Sequence, residues 1–336
     1  MSGRGLLGLG FVVAVLASTA SASAQRMDLA LSRLRTMPAD PSTCANAGGG
    51  VVPTYCPDED AWRSLATQFA GSMIPPVLLP AHTRGMRGIY VGVETSITGI
   101  DSSQDYWRRG TEGDAGIENR FVDSVLAWNR LNVRKGLPFG FELGTNVGFL
   151  VNTSYWTMGL EIRWSLLEGL RDRNSSVYFP SLSVRGAVQT LIGDSEMHAT
   201  VPSVDVSLGE RFIVGDMVEI SPYLGAQLAW IFADSELVDL TPETDAYAMC
   251  DPDPMPGAGA PPHCRGDGSD LNHNWVFQRV RSMRARMFVG TQVRYEWFAL
   301  TSAFSFDLMQ PHELDELLPT TLPRQWQVDV GLGVSY

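Results

Sequence analysis

The chain has 336 residues, a formal net charge of -12 and a mean hydropathy of -0.02. That acidity disfavours nucleic acid as a partner, which would want a basic face. Beyond the first 24 residues no stretch approaches the roughly 18 consecutive apolar residues of a transmembrane helix, although a β-barrel escapes that test because half of each strand faces inward and is polar.

Residues 1–24 read as a secretory signal: Arg4, an apolar run from Leu6 to Ala17, then Ala22-Ser23-Ala24 before Gln25. Cleavage there removes Arg4 and takes the charge from -12 to -13. Of the four cysteines, Cys44 and Cys56 make one local pair, Cys250 and Cys264 the other. In an exported chain without CxxC spacing they are expected as two disulfides rather than a metal site.

Residues 25–86 differ in pattern from the remainder of the chain. Apolar spacing of three and four predicts short helices over Met27–Met37 and Asp58–Ile74. A stapled loop lies between them, and Pro75, Pro76 and Pro80 end the second. The segment is expected as a periplasmic extension, with a lumen plug or a partner-binding arm as alternatives.

From residue 87 to 336 the pattern alternates with a period of two. Ile89, Val91, Val93, Thr95 and Ile97 make one face of a first strand, and a second runs over Phe121–Arg134. Phe139–Phe149 and Met158–Leu166 come next, after a tight turn at Lys135–Pro138. Further strands are predicted over Tyr178–Thr190, Val201–Val214, Met217–Phe232, Phe277–Tyr295 and Phe298–Leu308. The last, WQVDVGLGVSY over Trp326–Tyr336, sets Trp326, Val328, Val330, Leu332, Val334 and Tyr336 against Gln327, Asp329, Gly331, Gly333 and Ser335.

An aromatic-ended closing strand of this kind resembles that of bacterial outer-membrane β-barrel proteins. The resemblance implies an up-and-down antiparallel transmembrane barrel of about ten strands, twelve being an alternative. It also implies a place in the outer-membrane lipid and recognition of the closing strand by the assembly machinery. Five exterior connections are expected, Gly99–Arg120, Asn152–Ser154, Leu191–Thr200, Ala233–Trp275 and Met309–Gln325; all but Asn152–Ser154 are long and alternate with short turns at Lys135, Gly215 and Glu296, while Glu168–Ser175 breaks the rhythm.

The parity of the eighth strand turns Arg284, Arg286, Arg294 and Glu296 inward, where they could face Glu94, Glu142, Glu161 and Asp329; Arg163 joins this lumen set. Such charges either select ions or an anionic solute in a pore or close the lumen as salt bridges, which the narrowness of ten strands favours. Arg279 and Arg281, of opposite parity, belong at the exterior rim. The function expected is a small channel or transport barrel with this Arg row as filter. The alternative is a closed structural or surface-interaction barrel acting through loop 233–275, and a third is a hydrophobic-solute transporter.

No enzyme, cofactor or metal is expected. The five histidines, His82, His198, His263, His273 and His312, form no constellation with Ser or paired carboxylates, and no GxSxG occurs. Asp251, Asp253, Asp267 and Asp270 do not have calcium-loop spacing, nor do His263 and His273 match a zinc motif. Arg265-Gly266-Asp267 is a tripeptide that recurs by chance.

Overall fold

A computed structural model describes residues 25–37, 55–113, 118–167, 180–215, 217–242, 274–320 and 322–335. Ten long strands pair antiparallel, each with its neighbours in sequence: β1 Ile89–Gly99, β2 Val125–Gly136, β3 Phe141–Leu150, β4 Trp156–Ser165, β5 Ser181–Ile192, β6 Met197–Gly209, β7 Val218–Ser235, β8 Val280–Tyr295, β9 Phe298–Asp307 and β10 Trp326–Ser335. The β10–β1 pairing, Leu332 opposite Val93, closes the sheet. Closure leaves no row of unpaired backbone groups, the condition for strands to cross a lipid phase.

Alternation decides what each face meets. Along β4 the exterior side chains are Trp156, Met158, Leu160, Ile162 and Trp164, all exposed on the isolated chain, while Thr157, Glu161, Arg163 and Ser165 are buried. Among the described residues of the long strands, outward charges fall only near strand ends, at Lys135, Asp234 and Arg281. Aromatic pairs mark both margins. Phe141–Trp164 and Trp297–Phe298 stack at one end, with Phe149–Trp156 and Phe304–Phe306 near the other. From Trp156 to Trp164 the strand covers about 26 Å, and the usual tilt makes that about 20 Å of height, close to the apolar band of a membrane barrel.

Strand bounds differ modestly from the sequence expectation. The second strand begins at Val125 rather than Phe121, and the sixth spans Met197–Gly209, with Phe212–Val214 forming a separate short strand against Val218–Ile220. Phe139, expected within the third strand, sits in the turn with φ 62°, followed by Gly140 at φ 76°, a left-handed conformation that suits glycine.

The helix expected over Met27–Met37 is absent; only a 3₁₀ turn forms, at Leu31–Arg33. Tertiary partners take its amides instead: Met27 N–H donates to Asn152 O, Leu29 to the Tyr155 hydroxyl, Ala30 to Gly110 O and Leu31 to Glu196. The second helix, α1, spans Glu59–Ser72; Asp58 caps it by accepting from the Ala61 amide. From Ala61 to Ser72 every residue except Arg63 is buried, so α1 is enclosed on all sides.

Candidate functional site: the filled lumen

The enclosure of α1 comes from the inward faces of the strands. Trp62, Leu65, Phe69, Met73 and Ile74 belong to one apolar cluster with Leu126, Trp128, Leu150, Leu191, Val201, Ile231 and Val280 from the barrel wall. Phe69 meets Trp128 and Tyr155 edge-on. Indole N–H groups then fix the axial position, Trp107 donating to Gln68 Oε1, Trp128 to Ser72 Oγ and Trp62 to Gln278 O. This half of the lumen is packed like a soluble core.

The other half is polar, because after Met73 caps α1 the chain continues as Ile74–Arg84 without helical hydrogen bonds and its carbonyls need donors. Inward side chains supply them. Arg185 donates to Pro76 O at 2.8 Å and Pro75 O at 3.3 Å, and Gln227 to Pro75 O at 2.9 Å. Tyr223 donates to Val77 O, Arg163 to Pro80 O and His82 O, and Ser165 to Ala81 O. The segment therefore runs along the barrel from the end holding the β1–β2, β3–β4 and β5–β6 connections to the opposite end, where β1 starts.

Ion pairs surround it. Arg185 bridges Glu161 and Asp205, each at 2.8 Å, and Arg134 pairs with Glu94 at 2.9 Å and with Glu161. Glu142 holds Arg84 at 2.8 Å together with Arg163. Arg130 lies in the field of Asp329 and Glu94 and donates to Ser96. Two tyrosine rings occupy space that glycines leave: Tyr90 lies over Gly92 and Gly333, Tyr223 over Gly290. The guanidinium groups of Arg84 and Arg134 sit over the Tyr90 ring, at 4.6 and 5.3 Å.

The expected arginine row is placed differently from its predicted pairing. Arg284 and Arg286 are buried, but both bind Asp307 of neighbouring β9, at 2.6 and 2.7 Å, rather than Glu94, Glu142, Glu161 or Asp329. Arg286 also donates to Gly71 O in the last turn of α1, so the pair sits where the helix dipole is negative. Arg294 binds Glu219 of β7 at 2.8 Å. Glu296 is exposed in the β8–β9 turn with φ 51°, outside the lumen, because the strand ends one residue earlier. Glu142, Glu161, Arg163 and Asp329 are all buried on inward faces. Asp329 bonds Gln327.

Sequence reasoning missed Asp205, Asp307, Arg185 and Glu219 as lumen groups. It also missed the apolar half of the lumen, although Leu228–Ala233 is apolar at every position, a run that signals apolar surroundings on both faces of the strand.

Above the apolar half, residues 25–34 lie across three connections. Arg26 pairs with Asp123 and Arg33 with Glu112. Val238–Asp239 pairs with Asn274–Trp275 at the base of the long loop, and Glu59 accepts from Trp275 and from the Gln278 amide. Burial raises the carboxyl of Asp194 to about 6 and that of Glu196 to about 7, the negative charge of Asp28 adding to the first and of Asp194 to the second. Arg279 and Arg281 meet Asp234 at this rim. Cys56 is no free thiol, whereas Cys44, Cys250 and Cys264 lie outside the described residues, as do His263, His273 and the loop aspartates. Among the described residues no group of His, Cys, Asp or Glu is arranged to hold a metal.

No family model matches the sequence, and no curated protein matches it. Similar solved structures include Ail, the attachment invasion locus protein of Yersinia pestis (9% identity, TM-score 0.25, 74% of this chain and 97% of that one). Others are the N-terminal β-barrel domain of Pseudomonas aeruginosa OprF (10%, 0.26, 75% and 100%) and the transport unit of the autotransporter AIDA-I from Escherichia coli (9%, 0.29, 83% and 98%). At these TM-scores the likenesses add nothing to what strand pairing establishes by itself. A closed ten-stranded antiparallel sheet with an apolar exterior band is the architecture of bacterial outer-membrane β-barrels.

Proposed function

We propose that this protein is a self-plugged barrel of the outer membrane, sealed to solutes, whose working part is the cap assembled from residues 25–37 and the longer loops. The observation that carries this reading is the path of residues 59–84, which run through the lumen from one mouth to the other and accept hydrogen bonds from inward-facing Arg163, Ser165, Arg185, Gln227 and Arg286. A channel would need that segment to leave. Withdrawing Leu65, Phe69, Met73 and Ile74 alone forfeits roughly 6–12 kcal/mol of apolar burial, besides stranding the arginines that bind the Pro75–Ala81 carbonyls.

In this reading the end with the cap faces outward and the end with the tight turns faces the periplasm. The chain then runs inward through its own barrel before forming the sheet, which puts residues 25–37 on the cell surface beside the Val238–Asp239 and Asn274–Trp275 pair. A surface-interaction role follows from that display. Membrane-impermeant maleimide on intact cells tests it: Met37→Cys at the cap should label without permeabilisation, and Phe139→Cys in the β2–β3 turn only after it. The reverse pattern would refute the orientation.

A further inference from the structure

The turn-side mouth of the barrel holds a cavity of about 230 Å³. The emerging plug contributes one side of it, through Pro80, His82, Thr83 and Arg84; Arg211, Gln292 and Arg294 of the β6–β8 wall form the other. Three guanidinium groups and an imidazole therefore converge on one space, in a chain of net charge -12.

Their charge is only partly answered. Glu142 serves both Arg84 and Arg163, and Glu219 serves both Arg294 and His82. Arg211 forms no hydrogen bond or close ion pair within the described residues and only lies in the field of Glu219. Among the described residues, two carboxylates thus meet four guanidinium groups and one imidazole. Donor capacity is left over as well. Arg84 uses Nε on Ser335 and Nη1 on Glu142, leaving Nη2, while Arg294 commits only Nη2. His82 Nε2 faces Glu219 and its Nδ1 is buried without a partner. Forked guanidinium donors around a cavity match the planar oxygens of carboxylate or the face of phosphate.

We propose that this cavity is a binding site for a small oxyanion-bearing solute, held between the Arg84 end of the plug and Arg211 and Arg294 of the wall. A cavity of this volume has room for a molecule beyond a single oxyanion, and the unpaired Gln292 Oε1 offers an acceptor for a hydroxyl or ammonium group on it. Because the site is half plug and half wall, occupancy ties one to the other and stabilises the filled lumen by linkage.

The test uses the full mature chain in detergent micelles, titrated by calorimetry with inorganic phosphate and, separately, with glutarate. These two arms distinguish a phosphate from a carboxylate ligand. Saturable binding of either is expected, weakening with added sodium chloride, accompanied by a higher unfolding midpoint. Arg211→Ser, an exposed side chain without hydrogen bonds to the described residues, combined with Arg294→Gln, should weaken binding by at least about tenfold while the unliganded barrel keeps its heat-modifiable gel mobility. Arg108→Ser, at the opposite end, should leave binding unchanged. No saturable binding of either probe, or equal binding by the double variant, would overturn the proposal.

Discussion

Arg185 offers the sharpest handle on the filled lumen. Its Nε donates to Asp205, Nη1 to Glu161 and Pro76 O, and Nη2 to Pro75 O, so one buried side chain joins three strands to the plug. Arg185→Met preserves bulk and removes every one of these bonds. Glu161 keeps Arg134, and Pro75 O keeps Gln227, but Asp205 loses its guanidinium partner. Stranding one member of a buried ion pair costs about 3–5 kcal/mol. Equilibrium urea unfolding in micelles should record a loss of that size, and amide exchange of residues 59–72 should accelerate, since the grip just below the helix is released. Arg185→Met combined with Asp205→Leu should recover part of the loss, with a coupling energy of about 2–3 kcal/mol. A single variant within about 0.5 kcal/mol of the parent would refute the reasoning. It would mean that water, not protein, surrounds this guanidinium.

Trp128→Phe removes the donor to Ser72 while keeping the ring against Phe69; a loss of about 1 kcal/mol is expected, and an unchanged midpoint would discount that bond. Leu160→Arg, central on the exterior of β4, should cost about 2–4 kcal/mol in bilayers, and a neutral effect would deny that this face meets lipid. The raised carboxyls of Asp194 and Glu196 set a pH dependence for the cap. Their folded-state values of about 6 and about 7 exceed the ordinary carboxyl range, so the folded cap binds more protons than the unfolded chain between about pH 4 and 7. The cap is therefore most stable in acid and weakens as pH rises through 6 to 7. Unfolding midpoints measured from pH 4.5 to 8 should fall across that window, and Asp194→Asn with Glu196→Gln should flatten the curve; a parent midpoint that climbs with pH would contradict it.

The exterior of the barrel was legible because a lipid-facing row imposes a strict rule on every second residue. Trp156 to Trp164 obeys it without exception, and so does Trp326 to Val334. Inward parity was equally legible at Glu142, Glu161, Arg163, Arg284, Arg286 and Asp329. Pairing was not, since parity says which face a side chain takes and nothing about its height or its neighbour around the ring. Arg284 and Arg286 found Asp307 because β8–β9 register puts Arg286 directly opposite Asp307, and that register depends on the length of a turn. Glu296 was misplaced by a strand end. The plug was illegible for another reason: the spacing in Asp58–Ile74 specifies a helix but not what surrounds it, and a buried helix and a surface helix differ here only in how few charges come after Arg63.

Closure of the lumen by residues 59–84 is the feature from which the sealed barrel and its displayed cap both follow. Current across planar bilayers containing the chain from Gln25 onward measures this directly. The filled lumen predicts no conductance steps, with steps appearing when Arg185→Met and Arg286→Met together loosen the grip on Pro75, Pro76 and Gly71. Steady ion-conducting steps from the unaltered chain would contradict it.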